Sequence, residues 1–260
     1  MSQPSAAPPF LREEAYAWIR DRILRGEFAP GEPLNRRKLA AQLRMSLLPV
    51  SEAFRKLELA GLIETQVRAG SRVRMPSIED VEDFVAIRVA LECEAARLFC
   101  ERASARDRRE LLQRAGQLDR LRAGSGKLAY DVTRDRDLAY AIQSYHVEFH
   151  LRVVDAGRCR ALRRLMEEKH VLTMHWLYEV VAGSVAPLDS HVDLARILVG
   201  KDAERAALAM REHIGRGSAD LLARFRARRE KEQAARASGP SASRTPRRWR
   251  DVAKAKPDVA

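Results

Sequence analysis

Four of the six histidines in this sequence stand where a bound metal ion could use them. His146 and His150 are four residues apart, so on one helix both imidazoles project from the same face, as a ligand pair must. His191 and His213 flank Gly200-Lys201-Asp202, about two turns before it and about three turns after it. Folding those two helices back on one another brings both side chains to nearly the same height. Imidazole nitrogens in such a set suit a divalent transition metal. The spacing alone also fits four partly buried polar side chains. His170 and His175 are five apart and poorly placed to share a face, so they read as structural residues or, at most, as lining for a ligand. Cys93, Cys100 and Cys159 are odd in number and lack ligand-type spacing, which makes them buried thiols. Hydrolysis at a metal needs a general base beside it. No H-E-x-x-H, no carboxylate–histidine dyad with an orienting third group and no Gly-rich phosphate loop occurs, so an enzyme is the least favoured reading.

A second constellation lies between Leu34 and Val73. Asn35 begins a short helical segment with Leu39, Ala40 and Leu43 on one face, and Arg44-Met45 makes a turn. Ser46 then stands as an N-cap, with Pro49 in the first turn, where its missing N–H costs nothing. From Leu47 the apolar residues Val50, Ala53, Phe54 and Leu57 keep helical spacing until Gly61. Two strands, Leu62–Val67 and Ser71–Arg74, follow across Arg68-Ala69-Gly70. A helix-turn-helix with a β-hairpin wing is a unit for placing one helix in a DNA groove. Phosphate contacts are expected from Arg36, Arg37, Lys38, Arg55, Arg68 and Arg72, with Ser46, Leu47, Ser51 and Gly70 on the same surface.

The elements that must position these residues are mostly helices. Ala, Leu, Arg and Glu dominate, glycine is sparse, and alternating patterns are scarce beyond Val73. Amphipathic segments run over about residues 78–102, 105–121, 134–156, 158–182, 188–199 and 203–228, after a first helix over about Leu11–Arg25 whose stripe is Ala15, Trp18, Ile19 and Ile23. The net charge of +12 sits at the ends. Residues 1–77 hold 13 basic and 8 acidic side chains, residues 78–225 hold 24 of each, and residues 226–260 hold 11 and 4. A DNA-contacting head and a neutral body would distribute charge in this way. No apolar run is long enough to cross a membrane, and Met1 to Phe10 lacks the pattern of a signal peptide, so a cytoplasmic protein is expected.

The segments PGEPL, KLAAQL, SLLPVSEAFRKLELAGLIE and AGSRV resemble the winged-helix domain of GntR-type bacterial transcription regulators. Ile87-Arg88 with Leu91-Glu92, Glu148-Phe149-His150, Ser190-His191 and the run Gly200 to Ile214 resemble the FCD ligand-binding domain of the FadR branch of that family. The resemblance implies a homodimeric regulator that binds a double-stranded DNA operator and responds to a small organic acid. It also implies a metal held by three histidines and one carboxylate, at the positions of His150, His191, His213 and His146. His146 stands where the family has aspartate, which moves the expected ion from Mn²⁺ towards Zn²⁺, Ni²⁺ or Cu²⁺ and leaves its charge unneutralised by any ligand. Arg88 matches an arginine near the family's effector pocket, though a salt bridge to Glu92 four residues on fits equally well. Leu47 and Ser51 stand where arginines are usual, so the operator differs from that of relatives. A regulator that senses the metal ion itself is the alternative reading.

The expected fold is mainly α, a winged helix-turn-helix followed by an antiparallel all-helical bundle. Its parts are a disordered lead (1–9), a DNA-binding domain (10–75), a linker (76–77), a helical ligand- and metal-binding domain (78–225) and a basic disordered tail (226–260).

Overall fold

The computed structural model describes residues 9–66, 70–124, 130–131, 136–168, 171–182, 184–185 and 190–237. The first helix, α1 (Pro9–Leu24), packs on α3 through Ala15, Ile19 and Ile23. Trp18 lies at the edge of that stripe and is only partly buried. Tyr16 takes the buried position instead. Asn35 caps α2 (Arg36–Leu43), its side chain accepting from the backbone N–H of Arg37 at 3.0 Å and Lys38 at 3.1 Å. Arg44 ends it in a left-handed conformation. α3 (Leu47–Leu59) follows from Ser46, which has the extended backbone of an N-cap but no side-chain cap bond. Gly61, at φ +71°, makes the turn beyond α3 that a side chain would strain.

The wing is three-stranded, not two. β2 (Ile63–Gln66) pairs with β3 (Gly70–Val73), and the two-residue β1 (Pro33–Leu34) pairs with the other edge of β3. Two residues are too few to show alternation, so β1 left no mark in the sequence. Gly70, expected in the loop, is the first residue of β3.

Ser77 and Asp80 form a reciprocal capping box at the start of α4 (Ile78–Arg102). The body continues through α5 (Ala105–Gly124), β4 (Tyr130–Asp131), α6 (Arg136–Ala156), α7 (Arg160–Glu168), α8 (Val171–Ala182), β5 (Ser184–Val185), α9 (His191–Leu198) and α10 (Ala203–Ala237). The sequence pattern suggests one helix over 158–182, and the structure has two. α7 buries a narrow stripe, Leu162 and Met166, whereas α8 buries Met174, Trp176, Leu177, Tyr178, Val180 and Val181. β4 pairs with β5, a contact no pattern announced.

The bundle core is made where α6 packs on α4 and α5, and α9 packs on α5. Arg108 fastens one end: Nη1 donates to the carbonyls of Val199 and Gly200, both at 2.8 Å, and Nη2 to that of Cys100 at 2.6 Å. The ends of α4 and α9 thereby share one cap. α10 runs to Ala237, twelve residues into the stretch expected to be a disordered tail (226–260). Ala, Arg, Glu and Lys propagate a helix well without a buried face. Residues 227–260 are a unit of their own, of which 238–260 lie outside the described residues.

Head and body meet at the end of α1. Trp176 Nε1 donates to the Leu24 carbonyl at 3.1 Å, and Trp176 lies 4.7 Å from the ring of Tyr140. Arg25 pairs with Asp137 and sits 4.0 Å over Tyr140. Both Asp137 and Tyr140 are in the first turns of α6.

Candidate metal centre and nucleic-acid interface

α6 supplies His146 and His150, α9 begins with His191, and α10 supplies His213, all of them buried. One nitrogen from each lies within 4.8 Å of the others. His146 Nε2 and His150 Nε2 face each other at 3.0 Å. The rings of His146 and His191 are 5.1 Å apart, and those of His191 and His213 are 4.8 Å apart. The structure therefore brings together the four residues picked from spacing.

Two carboxylates that the sequence reading did not select hold this arrangement. Glu92 Oε2 is 2.6 Å from His150 Nδ1, while its Oε1 accepts from Arg88 Nε at 2.7 Å. Arg88 is thus buried in the ion pair with Glu92. Asp119 on α5 accepts from Ser190 Oγ at 2.9 Å, His191 N at 3.0 Å and Val192 N at 3.1 Å. It fixes the start of α9 and leaves its Oδ1 3.6 Å from His191 Nδ1. Glu92 had a local signal, its position four residues after Arg88. Asp119 had none, because its task depends on α5 packing against α9.

Burial raises the Glu92 carboxyl, but the Arg88 guanidinium and His150 outweigh it and hold the group well below the usual carboxylate range. Asp119 is brought down to about 2 against its own desolvation by hydrogen bonds from His191, Val192 and Ser190. Desolvation lowers His191 to about 4, with Asp119 opposing, and pushes His213 well below its ordinary value. Both imidazoles are neutral near pH 7, with a lone pair to give.

The donor set fits a transition ion. Bonds of roughly 2.0–2.1 Å place nitrogens about 3–4 Å apart, close to the spread seen. Both ring nitrogens of His191 and Nδ1 of His213 are buried without a hydrogen bond among the described residues. Buried nitrogens are rarely left so unless another partner takes them. The carboxylates behind His150 and His191 are the outer support that ligating histidines usually have. Of these two, the charge of Glu92 is balanced by Arg88, and Asp119 brings a carboxylate close behind His191. His170 and the side chain of His175 lie outside the described residues. Cys93 and Cys100 are buried, Cys159 half-buried, and all three are free thiols.

On the head, Arg37, Lys38, Ser46, Leu47 and Arg55 are exposed on α2 and α3. Arg36, Arg37, Leu47, Ser51, Gln66 and Gly70 line one cleft between these helices and the wing. Arg36 is tied into the fold, with Nη2 donating to Ser71 Oγ at 3.0 Å and its guanidinium 5.0 Å from the Phe54 ring. Arg72 pairs with Glu64 across β2 and β3. Both were expected among the phosphate contacts, and both have partners within the head. Ser51 Oγ donates to the Leu47 carbonyl at 2.8 Å, which leaves it only acceptor capacity. Leu47 is 45% exposed. Arg68 lies outside the described residues.

Residues 11–73 match the bacterial regulatory proteins of the gntR family, and residues 83–216 match the FCD domain. The chain belongs to the GntR family. Among its relatives is the probable D-xylose utilization operon transcriptional repressor of Paenarthrobacter nicotinovorans, 32% identical over 74% of this chain and 80% of that one. YdhC of Bacillus subtilis, an uncharacterised HTH-type transcriptional regulator, is 31% identical over 58% of this chain, and the match spans 63% of its length. The solved structure of E. coli McbR/YncC shares the fold, with a TM-score of 0.63 at 22% identity over 83% of this chain and 98% of that one. The GntR family and these relatives are regulators and not enzymes. No helix among the described residues is long and apolar enough to cross a membrane.

Proposed function

We propose that this GntR-family protein is a cytoplasmic, homodimeric transcription regulator whose affinity for a double-stranded DNA operator is set by a small organic acid bound at a divalent transition metal. The observation that carries this reading is the convergence of His146, His150, His191 and His213, buried and with their nitrogens within 4.8 Å. An all-nitrogen donor set favours Zn²⁺ or Ni²⁺ over harder ions. Such an ion would supply a Lewis-acidic point for the effector's carboxylate. Glu92 lies against His150, Asp119 fixes the first turn of α9 that carries His191, and Arg88 balances the charge of Glu92. In each protomer α3 would enter a major groove, with Arg37, Lys38 and Arg55 on phosphates and the exposed tip at Ser46, Leu47 and Ser51 near base edges.

The transmission route is α6. The helix that carries His146 and His150 also holds the head, through Asp137 and Tyr140 against Arg25. A shift of α6 on ligand binding would therefore act directly on α1, which packs on the recognition helix α3.

The test starts by selecting bound duplexes from a random pool. The affinity of the selected DNA is then measured with metal-loaded protein, with chelated protein, and with metal-loaded protein plus a panel of organic acids. His150→Ala and His213→Ala should lose metal and melt at lower temperature. DNA affinity that responds to no acid but follows Zn²⁺ alone would make the ion itself the effector. Unchanged metal content in both variants would remove the site.

A further inference from the structure

We propose that Gln143 is a second recognition point for the effector, so that the acid sensed by this protein carries a hydroxyl beside its carboxylate. The proposal rests on the reading above, in which a carboxylate meets the four-histidine centre. Gln143 lies on α6, one turn before His146, and is 2% exposed. Neither its Oε1 nor its Nε2 has a hydrogen-bond partner among the described residues. An amide is rarely buried in this state, because it gives up water on both its donor and its acceptor side and receives nothing for either. Side chains three apart on a helix have Cβ atoms roughly 5–6 Å apart, so Gln143 and His146 can reach the two ends of one small molecule.

The chemistry of the amide narrows what that molecule is. A carboxylate only accepts hydrogen bonds, so a simple fatty acid would occupy Nε2 and leave Oε1 unmet. A hydroxyl can donate to Oε1 while the neighbouring carboxylate accepts from Nε2. A hydroxy acid therefore satisfies both halves of Gln143, and its deoxy analogue satisfies one. Sites that bury a polar group for a particular hydroxyl discriminate strongly against ligands that lack it.

The experiment is isothermal titration of the full-length, Zn²⁺-loaded protein with two pairs of acids, lactate against propionate and malate against succinate. The wild-type protein should prefer the hydroxy acid of a pair by at least about tenfold. Gln143→Met, of similar length and without hydrogen-bonding groups, should keep its metal content and bind both members alike. Since Met removes an unmet buried amide, this variant should melt no lower than the wild type. Gln143→Glu serves as a second variant: it keeps the acceptor, loses the donor and should weaken both acids. A hydroxyl preference that survives in Gln143→Met would overturn the proposal, and so would a wild-type protein that binds both members equally. That last result would leave the carboxylate reading standing. If fully loaded wild-type protein binds none of the four acids, the effector reading fails together with the role given to Gln143.

Discussion

A single imidazole decides the electrostatics of the centre. His146 offers an imidazole where the resemblance expects a carboxylate, and the carboxylates nearest the cluster are then Glu92 and Asp119. His146→Asp should retain a metal but raise the preference for Mn²⁺ relative to Zn²⁺. Competition between the two ions, read by elemental analysis after dialysis, checks this, and an unchanged ratio would place His146 outside the ligand set. A parallel argument holds at Leu47 and Ser51, where an apolar tip and a hydroxyl already bonded to its own helix cannot make a bidentate guanine contact worth roughly 1–3 kcal/mol. Changing both to arginine should redirect binding to guanine-containing half-sites. Recovery of one motif by both proteins from the same random pool would show that α3 does not read the bases. The four-residue spacing and the Gly200 break suggested the histidine quartet, and the resemblance to the FCD domain is what singled it out as a ligand set. The part of Asp119 and the role proposed for Gln143 were not legible in the sequence, since both depend on how α5, α6 and α9 pack.

Elements were legible where a local bond marks their ends. Asn35 stops α2 at its start and Ser77 does the same for α4, each by accepting from the first turn. The division of 158–182 and the strand at Pro33–Leu34 depend on contacts with distant residues, and no local pattern encodes them. The α4 cap also gives a pH prediction. Burial raises the Asp80 carboxyl, but the Ser77 N–H at 2.8 Å and the Arg74 guanidinium at 2.8 Å outweigh it and lower the group below its ordinary value. A carboxylate depressed in the folded state stabilises fully above its unfolded pKa, near 3.9, and the contribution disappears as pH falls through the folded value. Asp80 is more than a third exposed, so the effect is about 1 kcal/mol at most. Asp80→Asn should cost that much at pH 7 and almost nothing at pH 2, measured by urea denaturation. Equal losses at both pH values would show that the charge is not what stabilises the cap.

Across the whole molecule, the junction at Arg25, Tyr140 and Trp176 is the point at which sensing and DNA binding would be coupled. Pairing Arg25→Ala with Trp176→Phe removes an ion pair, a cation–π contact and the bond to the Leu24 carbonyl. Metal content and basal DNA affinity should stay within about twofold of the wild type, as neither group touches the centre or the DNA face, while the change in affinity caused by the effector should shrink several-fold. A full response in the double variant would move the coupling elsewhere. The basic charge at the two ends of the chain was plain from composition, but the junction was not. Its residues are spread over Leu24 to Trp176, and none is unusual in its own stretch. The same junction has a bearing on how such proteins can be recombined. A hybrid cut at the 76–77 linker would join this head to a foreign body whose α6 has no Asp137 or Tyr140 for Arg25. It would still bind its DNA and its own ligand, yet be deaf to that ligand. If the coupling runs through this junction, a working exchange would have to graft the socket on the sensor along with the plug on the head, and the heritable unit of regulation would be larger than either domain.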